Sequence, residues 1–151
     1  MRTAPTTFLL ANLALAFYLV GAIWAHEVDI FRNWQVLDPG NFRRLQAVHW
    51  KKLPYWVFAP LGLALIGSIT LIWYHPNYAP AWAVWGNLGC QVLSHGLTAI
   101  FWGRWQAKLS KETAGGKSVY LQKILKTHWL RTLLISAYAI TLLVWAIQVI
   151  R

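Results

Sequence analysis

Four long apolar stretches, at about residues 6–25, 53–74, 81–101 and 129–150, occupy most of the 151-residue chain. As helices, each is long enough to cross a hydrocarbon core of about 30 Å. With 58% hydrophobic and only 12% charged residues, the sequence cannot present four such helices to water. The reading is an all-α integral membrane protein. At this length one compact four-helix transmembrane bundle is expected, a single domain over 1–151. Cys90 is the only cysteine, which excludes an intrachain disulfide and a thiolate metal cluster.

Basic residues near the ends of spans stay on the cytoplasmic side. The termini carry Arg2 and Arg151, and the turn from His75 to Pro80 carries no Lys or Arg. The first connection holds Arg32, Arg43, Arg44, Lys51 and Lys52, and the third holds Arg104, Lys108, Lys111, Lys117, Lys123 and Lys126. Both termini are therefore expected outside and both basic loops in the cytoplasm, in a bacterial inner membrane. The net charge of +10 flanks membrane spans and forms no basic domain, so topology and anionic headgroups account for it without nucleic acid. Trp24, Trp50, Trp56, Trp102, Trp105 and Trp129 fit the inner interface, and Trp73, Trp82, Trp85 and Trp145 the outer one.

In the first connection, Asp38 and Pro39 suit the start of a helix. Phe42, Leu45, Gln46 and His49 then recur at helical spacing, predicting a short amphipathic interfacial helix before the second span, with Pro54 kinking the junction. In the third span Asn87, Gln91, His95, Thr98 and Trp102 share one face, which should look inward because unpaired polar groups are costly in lipid. Glycines 86, 89, 96 and 103 suit close approach by neighbouring helices. His95 lies nine residues before Arg104, about 13 Å from that helix end. His26 and Glu27 close the first span on the same side, His49 enters the second there, and His128 with Arg131 opens the fourth. These groups predict one inner polar pocket.

Neutral imidazoles with a carboxylate suit Fe, Cu, Zn or Mn, which makes His26, Glu27, His49, His95 and His128 candidate ligands, with Gln91 orienting one of them. Without a metal, Glu27 and His95 can exchange protons with an organic substrate, and Arg131 can hold an enolate or phenolate oxygen. Gln91 and Trp102 are candidate cofactor-binding residues. The structural alternatives are an interfacial anchor for His26 or His128, a charge-neutralising pair for Glu27 with Arg131 or Lys51, and a hydrogen bond from His95 to Asn12, Tyr18 or Tyr138. Two short motifs fail: His26-Glu27-Val28-Asp29-Ile30 lacks the second histidine of a zinc protease, and Gly116-Lys117-Ser118 has Lys111 where a phosphate-binding loop begins with glycine.

The four-span plan, Glu27 at the end of the first span, Phe42 through His49 before the Pro54 entry to the second, and His128 followed by Arg131 resemble the anthrone-oxygenase-like family of small membrane proteins. The resemblance covers most of the chain, through short motifs; some members of that family are linked to oxygenation of polycyclic phenolic substrates, and the resemblance implies an oxygenase or oxidoreductase without fixing a cofactor. It favours Glu27, His49, His128 and Arg131 as site residues. The expected function is a membrane-embedded oxidoreductase acting on a small lipophilic, aromatic molecule at a cytoplasm-facing His/Glu pocket. The alternatives are a noncatalytic helical subunit of a larger membrane complex and a small proton-coupled transporter, either of which can assemble as a homo-oligomer.

Overall fold

The computed structural model describes residues 3–151, and the described chain is all-helical. Arg2, part of the charge argument, lies outside the described residues. Helices α1 (Ala4–Trp34), α2 (Pro39–Thr70) and α4 (Val119–Ile150) are long and apolar enough to cross a membrane, as an integral membrane protein requires. Residues 81–109 form α3, whose apolar run is interrupted by Asn87, Gln91, Ser94 and His95.

Local chemistry sets the starts of these helices. Asp38 caps α2, its Oδ1 accepting from the amides of Gly40 at 3.0 Å and Asn41 at 3.1 Å, with Pro39 next to it in the first turn. Asn41, through its backbone amide and its side chain, holds the Asp38 carboxyl below the ordinary carboxylate range, with Gly40 contributing. Ser118 caps α4 by accepting from Tyr120 N at 3.1 Å and Leu121 N at 3.5 Å, and it is buried. Ser118→Ala should lower stability by about 1 kcal/mol, measurable as a fall in the unfolding midpoint in detergent. Gly115, at φ 60°, turns the chain between α3 and α4.

The helices run further than the hydropathy predicts. The first continues past residue 25 to Trp34, and the last begins at Val119 rather than near 129. The predicted interfacial helix is present over Pro39–Leu53, but it continues into the second span without a break. Three helices change pitch along their length. Wide π turns occupy His26–Ile30 in α1, Pro54–Phe58 in α2 and Thr98–Trp102 in α3. Each closes on an amide five residues onward: Phe31 to His26 O, Ala59 to Pro54 O, and Gly103 to Thr98 O. A Cβ at Gly103 would stand 2.9 Å from the Thr98 carbonyl oxygen, so glycine accommodates the wide turn there.

α4 packs centrally against α1 and α3. One core runs along the bundle through Leu9, Ala16, Leu19, Leu61, Ala64, Ala139 and Leu142. A second, made by Phe31, Trp34, Phe42, Leu109, Leu121 and Ile124, closes the end that carries the basic connections. Three of the expected glycine contacts are absent or ordinary: a Cβ at Gly89 or Gly96 would meet nothing within 4 Å, and one at Gly86 would meet Thr141 at 3.5 Å. The tight approach is at Gly67, where the Asn12 amide occupies the space a Cβ would need. Trp145, expected near the outer interface, faces the bundle interior at that end. It is fully buried and donates from Nε1 to Tyr78 O at 2.8 Å.

Candidate functional site

The three π turns meet at one level of the bundle, near its basic end, and the histidines gather there. His26, in the α1 turn, stacks on Trp56 of the α2 turn with centroids 5.0 Å apart at 24°. Its ring lies 5.4 Å from that of His49 and 6.4 Å from that of His128. Trp102, in the α3 turn, lies 6.1 Å from His128 and carries the Arg131 guanidinium 5.9 Å from its centroid. Its Nε1 donates to Thr127 Oγ1 at 3.0 Å, fixing the indole as one wall. A π turn re-aims side chains that a regular helix would point elsewhere, and such turns recur at functional sites.

The hydrogen bonds decide which ring nitrogens are free. The Ala22 carbonyl, 2.7 Å from His26 Nδ1, can only accept, so Nδ1 carries the proton and the neutral ring presents its Nε2 lone pair. His128 Nδ1 donates to Glu27 Oε2 at 2.9 Å, which leaves its Nε2 in the same condition. Nε2 of His26, His49 and His128 are all buried without a partner, as is Nε of Arg131. An unsatisfied buried polar group costs about 1–3 kcal/mol, so the open lone pairs and donor at this level make it a candidate binding site.

Charge adds to this. Glu27 pairs with His128 and, at 3.5 Å, with Arg32, whereas Arg131 has no carboxylate within ion-pair distance among the described residues. The expected neutralisation of Arg131 or Lys51 by Glu27 is therefore replaced by a different pairing. Arg131 is only 7% exposed and follows Lys126 by five residues, about 8 Å along the helix. A cation buried inside an apolar helix without a direct counterion is costly, so Arg131 is a functional candidate.

Arg131 and His26 line the same two small cavities, of about 20 and 10 Å³. The larger is bounded by Phe31 of α1, Leu53, Val57 and Phe58 of α2, and Thr98, Trp102 and Gln106 of α3. Each holds roughly one water-sized group. A larger cleft, about 450 Å³, lies at the other end of the bundle beside Thr6, Asn77 and Gln148, away from every one of these groups.

The structure thus brings together His26, Glu27, His49, His128, Arg131 and Trp102. His95 stands apart. It is half-buried, its Nδ1 donates to Gln91 O of its own helix at 2.8 Å, and none of the ring contacts around His26 includes it. It makes none of the expected bonds to Asn12, Tyr18 or Tyr138. Gln91 is buried with both amide atoms unpartnered, on a face shared with Asn87 and Ser94 rather than in the cavities beside Arg131. Trp56, Phe31 and Gln106 belong to the site and were not anticipated. Among the described residues no three His, Cys, Asp or Glu side chains are grouped so that they could hold a metal ion. The chain matches no protein-family model, no curated protein and no solved structure.

Proposed function

We propose that this protein is a membrane-embedded oxidoreductase of the oxygenase type, acting on a small lipophilic aromatic molecule at the His26/Arg131 cavity. The observation that carries the reading is that His26, with an unpartnered Nε2, and Arg131, with no carboxylate at ion-pair distance among the described residues, line the same small cavity inside the helical bundle. The base removes a proton from the substrate, and the guanidinium stabilises the electron-rich oxygen that results. Dioxygen is the oxidant. Converting a ring methylene to a carbonyl places one oxygen atom in the product and releases the other as water with the two hydrogens. The likeness to the anthrone-oxygenase-like family supports the same chemistry.

A transition metal would draw on the Nε2 lone pairs of His26, His49 and His128, with Glu27 orienting His128 through Nδ1. Each step is assigned here to the side chains. In this reading α3 also spans, as the third of four: residues 81–109 extend about 43 Å, more than the hydrocarbon core needs. The pocket faces the cytoplasm, with both termini outside, because the basic connections surround it.

The test is dioxygen uptake by the full chain in nanodiscs after addition of a dihydroxyanthrone, with the uncatalysed rate subtracted. Uptake above that rate, lost in His26→Gln, is expected. A rate equal to that of empty nanodiscs would remove the oxygenase reading.

A further inference from the structure

We propose that the middle of the bundle holds a second site, separate from the His26/Arg131 cavity, where Ser68 of α2, Asn87, Gln91 and Ser94 of α3, and Tyr138 of α4 bind water inside the hydrocarbon layer. This site is independent of the oxygenase reading.

Helical register brings these residues together. Asn87, Gln91 and Ser94 are spaced by four and three, so they share one face of α3, and all three are fully buried. Ser68 and Tyr138, on the two helices packed against α3, are buried to the same degree. The Tyr138 hydroxyl lies beside the side chains of Ser68 and Gln91, so three helices contribute to one cluster. Tyr138 follows Arg131 by seven residues, about 10 Å along α4, with the buried Ile135 between them.

Five polar atoms of this cluster have no hydrogen-bond partner among the described residues: Asn87 Oδ1, Gln91 Oε1 and Nε2, Ser94 Oγ, and the Tyr138 hydroxyl oxygen. Bonds already made fix the character of two of the side chains. Asn87 Nδ2 donates to Ala83 O at 2.7 Å and to Val84 O at 2.9 Å, which commits the amide hydrogens and leaves Oδ1 as an acceptor. Ser68 Oγ donates to Ala64 O at 2.9 Å, which leaves it only lone pairs. Gln91, Ser94 and Tyr138 can each donate and accept. The cluster therefore suits a ligand that does both.

That ligand is small and neutral. The cluster contains no charged side chain, so nothing in it would compensate an ion. The surrounding core of Ala64, Ala83, Ala139 and Leu142 is closed to the outside, which leaves a large molecule no entry. Lipid tails offer no hydrogen bonds, and each polar group left open in an apolar interior is costly. A buried water makes about three hydrogen bonds to such groups. Gln91 lies between Asn87 and Tyr138 and can share a water with each.

The site also accounts for the character of α3. The other three long helices are apolar enough to cross a membrane by composition, whereas the polar face of α3 interrupts its apolar run. Water shared with Tyr138 and Ser68 turns that face into an attachment to α4 and α2.

The test uses the full chain, with nitrogen-labelled glutamine on a deuterated background, in phosphatidylcholine nanodiscs prepared in ordinary water. Nuclear magnetic resonance then follows magnetisation passed from water protons to the side-chain nitrogens. Gln91 Nε2 should receive a water signal although it is fully buried, as the exposed Gln122 does. Exchange of its amide hydrogens with heavy water should be about tenfold or more slower than at Gln122, because the water is enclosed. Gln91→Leu should lower the unfolding midpoint in detergent by several degrees, since the water loses a partner. Adding Tyr138→Phe to that variant should cost less than Tyr138→Phe alone, because both side chains serve the same water. His26→Gln should leave the Gln91 signal as it is.

A Gln91 nitrogen that receives no water signal would overturn the proposal and assign the cluster to a dry network, with Gln91 bonding Asn87 and Tyr138 directly. A raised midpoint in Gln91→Leu would overturn it as well, because an apolar side chain improves on an amide only where no partner is bound. Loss of the signal in His26→Gln would merge the two sites and remove the separate one. If Gln91→Leu does not fold, the water signal of the wild-type chain decides alone.

Discussion

Gly67→Val should be among the most destabilising single substitutions in this chain, with the unfolding midpoint in detergent falling sharply and the yield of folded protein with it. The Asn12 amide occupies the space that any Cβ at position 67 would take, so even alanine has no room. Asn12 cannot move freely, because it is buried and its Nδ2 donates to Phe8 O at 2.9 Å. Overpacking alone costs about 1–3 kcal/mol, and pushing a polar amide into the apolar core of Leu9, Ala16 and Ala64 adds to it. The companion variant separates the two causes. Asn12→Ala with Gly67→Ala should recover stability relative to Gly67→Ala alone, because the small side chains no longer compete for one space. A midpoint for Gly67→Val within a degree or so of wild type would mean that α1 and α2 do not approach as described.

Gly67 also illustrates what a sequence of this kind conveys and what it withholds. Hydropathy located the helices, since a run of apolar residues reports solvent preference directly. The Asp38 cap, and the inward faces of Phe42 and Gln46, followed from chemistry within a few residues of chain. The gathering of His26, Glu27, His49, His128 and Arg131 at one level was legible because helix ends and charge runs fix depth along the membrane normal. Rotation about that normal was not. Ser94 and His95 lie on either side of Gln91, about 60° one way and about 40° the other, so spacing alone could not choose between them. The fold buries Ser94 and turns His95 partly outward. Glycines 86, 89 and 96 resemble Gly67 in sequence, but a close approach needs a partner side chain, and only the fold supplies Asn12. The π turns have no periodic signature either. Pro54 marks the start of one and Gly103 the end of another, yet either residue also fits a plain helix. These turns brought Trp56 and Phe31 into the site, which is why both were missed.

The second large effect is expected at Glu27, which acts through His128. Its Oε2 accepts from His128 Nδ1 at 2.9 Å, and this bond holds the imidazole in the tautomer that presents Nε2 inward. An amide at position 27 keeps an oxygen that can accept but loses the charge that stabilises a protonated ring; a leucine loses both. Glu27→Gln should therefore lower turnover about 10–100-fold, the usual effect of removing a carboxylate that orients a functional histidine, with KM little changed. Glu27→Leu should fall further. Nitrogen NMR of labelled protein gives a readout independent of turnover: His128 should show protonated Nδ1 and free Nε2 in wild type, and a mixture of tautomers in Glu27→Leu. Arg32 serves as the control. It also reaches Glu27, at 3.5 Å, but its side chain is 54% exposed, and a pair so solvated contributes little. Arg32→Gln should leave both turnover and the His128 tautomer as they are. If instead Arg32→Gln reproduces Glu27→Gln while the His128 nitrogens do not change, the carboxylate is serving the surface pair, and the imidazole is held by its packing against Phe31 and Trp102. The dyad would then drop out of the chemistry, leaving His26 and Arg131 as its only residues.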